Sequence, residues 1–333
     1  NSGQSLPEKL NSFAENFRKN FIDRLEPLKQ AEMKITGGAE LNALESPYQL
    51  ARRLGGVGGK ADAFLFHNTF NPNTMEWNGK SLKDILGNVQ NLDDLRVYLA
   101  SKRAAEKISQ GVKTGFQSAD VLQTISEMQN TYEPIAQELY QYQDNLLNYA
   151  LDSGLISAES YQKIKDKNIM YIPFYRVFEK ESSSVGKTGD AQSPVKRMKG
   201  SERDIIDPLE SIVKNTYLFI SMAEKNKVGM ALADLGKRFE GAGKFIERVP
   251  EFKKKINFTL DEAINRDKAL YNQLKELGAD NDLFEMMFSI YRPSLNLKTN
   301  EIQVLRNGKR EIYEVAPDIY QAFKTMDAES SNF

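Results

Sequence analysis

The chain has 333 residues, 40% of them hydrophobic and 27% charged, and a mean hydropathy of −0.54. That balance is polar for a compact globule, so an elongated shape with much surface is expected. Lys+Arg 45 against Asp+Glu 46 lacks the basic excess of a dedicated nucleic-acid binder, while the absence of cysteine and a single histidine, His67, argue against disulfides, thiolate metal sites and zinc centres.

No cofactor is expected, and no apolar run approaches the roughly 18 residues that would span a bilayer. The first residues, Asn1-Ser2-Gly3-Gln4, have neither an initiator Met nor a signal-peptide pattern, and the last follow a helical pattern without a stop. The expectation is a segment of something longer.

Leu10, Phe13, Phe17, Phe21, Leu25 and Leu28 recur at helical spacing from Pro7 to Ile35, with Pro27 expected to kink or end that helix. Ser46-Pro47 is a cap and first-turn pair for a helix over 48–54. The run Gly55-Gly56-Val57-Gly58-Gly59 should break it, making a flexible corner before the apolar stretch Ala61–Phe66. A phosphate-loop reading of this run fails on spacing. Gly59-Lys60 would need glycine where Leu54 stands and a hydroxyl residue where Ala61 stands. Asn71–Gly79 reads as a loop, and Ser81, Asn91 and Ser118 as starts of three further helices.

After Ser118 come Val121, Ile125, Met128, Tyr132, Ile135, Leu139, Tyr142 and Leu146, stepping by four and three alternately. This seven-residue repeat is the seam of a helical hairpin or coiled coil, facing either a helix of the same chain or another copy. Pro134 inside it should bend or split the helix near Thr131. Leu155–Lys167 reads as a short helix capped by Ser157, followed by the extended aromatic segment Met170–Phe178. Glu181–Pro194 is polar and reads as a mobile loop. Asp207-Pro208 should open a long helix to Phe239, ended by Gly241-Ala242-Gly243. Lys244–Phe258 is ambiguous, with a short strand pair as one reading, and Thr259–Leu277 returns to helix. Asn307-Gly308 lies between Ile302–Leu305 and Glu311–Val315 as a hairpin signal, and Pro317 opens a last helix.

The predicted fold is therefore mainly α, an elongated multi-helix assembly with a small β-hairpin over 301–315. Its division is an N-terminal helical region 1–180, a polar and basic loop 181–203 and a C-terminal helical region 204–333.

Chemistry-bearing patterns are few. Paired carboxylates such as Asp93-Asp94 and Glu202/Asp204 occur, but among 46 acidic residues chance pairs are expected and adjacency does not place them across a pocket. His67 lies among Phe64, Phe66 and Phe70 and reads as a packed or surface imidazole. The densest basic cluster supplies the candidate nucleic-acid contacts Lys187, Lys196, Arg197, Lys199 and Arg203, with a solvated loop as the competing reading. The aromatic segment could stack bases beside it or fill a core as a clamp.

Several motifs together resemble one domain of the polyvalent proteins of phages and conjugative elements. They are Tyr149–Ser157, Asn168, Tyr171-Ile172-Pro173-Phe174-Tyr175-Arg176, Lys199-Gly200-Ser201, Asp207-Pro208-Leu209-Glu210, and Asn307-Gly308-Lys309 with Tyr313-Glu314-Val315. Ala51-Arg52-Arg53-Leu54 and Tyr98–Arg103 fit the same pattern. The resemblance implies a segment of a very large phage protein, of the kind packaged in the virion interior and delivered to the host cell with the genome. It implies no catalytic residues, and a structural role for Tyr171, Pro173, Phe174, Tyr175, Arg176, Asp207, Pro208, Asn307 and Gly308. The partners implied are other copies of the chain or other virion proteins, with DNA contact as a possibility. The function expected is a non-catalytic structural segment. The alternative is a nucleic-acid-binding or effector domain acting in the infected host.

Overall fold

The computed structural model describes residues 23–54, 57–109, 111, 116–166, 208–250, 268–276, 281–291, 293 and 297–330. Over these the protein is mainly helical, with two small antiparallel sheets. The helices are α1 Glu26–Thr36, α2 Pro47–Leu54, α3 Val57–Phe66, α4 Leu82–Leu86, α5 Leu92–Ser109, α6 Ser118–Asp152, α7 Ala158–Asp166, α8 Pro208–Arg238, α9 Lys268–Glu276, α10 Asn281–Tyr291 and α11 Pro317–Ser330. The strands are β1 Asn68–Phe70, β2 Trp77–Lys80, β3 Ile246–Arg248, β4 Glu301–Arg306 and β5 Lys309–Val315.

Local chemistry sets most helix starts. The Ser46 hydroxyl accepts from Gln49 N at 3.0 Å, Ser81 from Asp84 N at 3.1 Å, and Ser157 from Ser160 N at 3.0 Å. Asn91 Oδ1 accepts from Asp93 N and Asp94 N, so Asn91 caps α5 and the acid pair lies in its first turn. These side chains take up amide donors that the first helical turn leaves over. Pro208 and Pro317 stand first in their helices, where a missing N–H costs nothing.

α8 is the axis of the fold. It packs against α1, α2, α3, α5, α6, α11, β3 and β4. Its buried positions run round the whole helix, from Leu209 and Ile212 through Phe219, Ile220, Ala223 and Glu224 to Val228, Leu232 and Leu235. A helix buried on every side is a core helix, with no solvent-facing stripe. One continuous hydrophobic cluster reaches from Leu25 to Met326 and includes core residues on both sides of residues 181–203.

The seven-residue seam of α6 is spent within the chain. Val121, Met128, Tyr132, Leu139, Tyr142 and Leu146 are buried, with Ile125 and Ile135 partly so, in a helix that packs on α5 and α8. Pro134 does not split it: Ser118–Asp152 is one helix. Proline removes one donor and crowds one carbonyl, and the buried contacts along the rest of α6 outweigh that loss.

Two further expectations are corrected. The glycine run does separate two helices, α2 ending at Leu54 and α3 following, but α3 starts inside the run rather than after it, at Val57, and holds Gly58, Gly59 and Lys60 in its first turn. The Asn71–Gly79 loop contains most of a strand, since Trp77–Lys80 pairs antiparallel with Asn68–Phe70. Asn71 builds the turn between them, its Oδ1 accepting from Asn73 N and Thr74 N at 2.8 and 3.0 Å. Pro27 sits in the first turn of α1, after a break at Leu25.

Near the C-terminus the expected hairpin forms. β4 and β5 pair in register from Glu301↔Glu314 to Arg306↔Lys309, closed by Asn307 (φ 50°) and Gly308 (φ 75°). Positive φ at both positions gives a two-residue turn whose twist matches its strands. The ambiguous stretch after Lys244 adds β3 to the other edge of β5, in the order β3-β5-β4.

Candidate functional site

The densest polar chemistry among the described residues lies where α3, α6 and α8 meet. On α3, Lys60 and Phe64 are one turn apart. On α6, Tyr142 and Tyr149 are two turns apart, as are Tyr217 and Glu224 on α8. Each pair therefore shares a helix face. Glu224, with a side chain only 6% exposed, takes three donors: Tyr149 OH to Oε1 at 2.7 Å, Lys227 Nζ to Oε1 at 2.8 Å, and Lys60 Nζ to Oε2. The Lys227 ammonium also stands 5.3 Å from the centre of the Tyr149 ring. Phe64 meets Phe70, Tyr142 and Tyr149 edge-on at 5.3, 6.1 and 5.7 Å, so aromatic rings pack beside the ionic group.

Burial raises the Glu224 carboxyl, but the ammonium groups of Lys227 and Lys60 overcome this and hold it at about 2. The Tyr149 hydroxyl is pushed well above the ordinary phenol range by burial first and then by the Glu224 charge. At neutral pH the carboxylate is ionised and the phenol is a fixed donor. A carboxylate this acidic is a weak base, and a phenol this basic a poor proton source. The arrangement is chemically suited to joining three helices rather than to moving protons.

Variants of this device recur. Tyr98 donates to Glu133, which also takes Lys102 Nζ at 2.7 Å and Gln137 Nε2 at 2.6 Å, joining α5 to α6. Tyr161 OH donates to Asp144 at 2.7 Å, with Lys165 at 3.1 Å, joining α7 to α6. Tyr217 OH reaches Asp62 at 2.7 Å and joins α8 to α3, its phenol raised to about 12 by burial and Asp62. Tyr142 and Thr216 share a buried 2.8 Å hydrogen bond between α6 and α8.

Two residues beyond Glu224 on α8, Asn226 substitutes for a strand. Its amide donates to Leu305 O at 2.6 Å and accepts from Leu305 N at 2.7 Å, closing part of the outer edge of β4. Arg306 of β4 pairs with Asp234 of α8 at 2.8 Å and with Glu311 of β5 at 3.4 Å.

Of the residues singled out from the sequence, Lys187, Lys196, Arg197, Lys199, Arg203, Tyr171, Pro173, Phe174, Tyr175, Arg176 and Asp207 lie outside the described residues, as do Glu202 and Asp204. Pro208, Asn307 and Gly308 lie within them. Two resemblance motifs far apart in sequence meet: the Asn307-Gly308 turn abuts the corner between α6 and α7, where Gly308 N approaches Gly154 O at 3.4 Å. His67 is exposed at the end of α3. Among the described residues no three His, Cys, Asp or Glu side chains are grouped to hold a metal ion, and no helix is long and apolar enough to cross a membrane.

Sequence reasoning missed the Glu224 centre. In the sequence Lys60 stands out only by its place after a glycine run, and Tyr149 only as part of a motif. The available signal was an acidic residue in the middle of a helix with apolar residues on every face, which demands a charged partner. Lys227 at i+3 answered half of that demand, while Lys60 is 164 residues away. No family model, curated protein or solved structure matches the chain.

Proposed function

We propose that this chain is a non-catalytic structural segment, a helical scaffold within a larger protein of the phage internal-virion, DNA-ejection type. The observation that carries the structural half is the closed Glu224 centre, whose two oxygens are taken by Tyr149, Lys227 and Lys60 of the same chain. The phage context rests on the motif resemblance. The packing of Gly308 against the Gly154 corner supports a structural role for the motif residues found there. In this reading the segment supplies a rigid helical body, and the full-length protein assembles with other copies or other virion proteins.

Mass spectrometry of purified particles tests the context: the full-length protein should be present inside virions at a fixed copy number and should leave with the genome on triggered ejection. Its absence from particles that package DNA normally would overturn the assignment.

A further inference from the structure

We draw no further inference here: the strongest candidate, the exposed apolar patch that Trp77 and Met75 present on the β1–β2 hairpin, carries nothing because no feature of the structure shows what covers it.

Discussion

Glu224 is the residue on which the fold's electrostatics converge, and its surroundings set the sign of its response to pH. Its folded-state value of about 2 lies below the ordinary 4.5, so the stability it contributes is complete above pH 4.5 and is lost as pH falls towards 2. That contribution is on the order of 3 kcal/mol at neutral pH. Urea unfolding at pH 6, 4 and 2.5 should show the loss in the wild type and a shallower pH slope in Glu224→Gln. Parallel slopes would remove Glu224 from the account. At neutral pH the same substitution strands two ammonium groups against a neutral amide and should cost about 3–5 kcal/mol.

Tyr149 works in the opposite direction. Its raised pKa means that its contribution is whole below pH 10 and is lost as pH climbs beyond that. Tyr149→Phe should cost about 2 kcal/mol, since a hydrogen bond to a charged acceptor disappears, and should flatten the alkaline limb of the stability profile. A centre that only joins helices also tolerates wholesale exchange. Combining Lys60→Met, Glu224→Leu and Lys227→Met with Tyr149→Phe should recover most of the stability lost by Glu224→Gln alone. If the combined variant instead proves less stable than Glu224→Gln, the ionic centre is contributing more than a lock.

At the scale of elements, two contacts decide how the C-terminal sheet sits on the helices. Gly308 needs positive φ for its turn, and a Cβ there would stand 2.9 Å from Ser157 N. Gly308→Ala therefore meets both backbone strain and a backbone atom that cannot step aside, and should lower stability by about 2 kcal/mol or more. Lys309→Ala at the same hairpin, an exposed position, is the control and should be near neutral. Asn226 supplies the second contact. Asn226→Leu keeps the branching at Cγ but leaves the buried amide and carbonyl of Leu305 without their side-chain partners, and should cost about 2–4 kcal/mol. Amide exchange at Leu305 is the direct readout: it should accelerate in the variant well beyond the rate predicted from global destabilisation.

For the whole molecule, one apolar cluster running from Leu25 to Met326 around α8 implies a single cooperative unit over the described residues. Trp77, the sole tryptophan of the chain, reports from the β1–β2 hairpin through its edge-on contact with Phe70 at 6.0 Å. Its fluorescence and the helical circular dichroism should therefore lose their native values at the same denaturant concentration. Separate midpoints would show that the hairpin melts apart from the helices, against the hydrogen bonds of Asn145 to Thr69 and Asn78 that tie it to α6.

Features that depend on neighbours within a turn or two were legible from the sequence. Ser46, Ser81, Asn91 and Ser157 mark helix starts because a short side chain beside a free amide needs no distant partner. Asn307-Gly308 marks its hairpin because the turn itself demands positive φ. The β1–β2 hairpin escaped because its strands are short and its turn is built by an Asn side chain rather than by a two-residue signature. The addition of β3 to β5 escaped for another reason: a three-residue strand has no signal until the partner edge exists. Only the tertiary structure could decide which charge meets Glu224 and which edge Asn226 closes. Those partners lie 164 and 79 residues away, and packing around α8 chooses them. By itself the sequence determined a mainly helical chain punctuated by caps, prolines and one strong turn. The fold decided that Glu224, a mid-helix acid of α8, would become the ionic centre of the core, because a buried carboxylate without nearby cations would be too costly to keep.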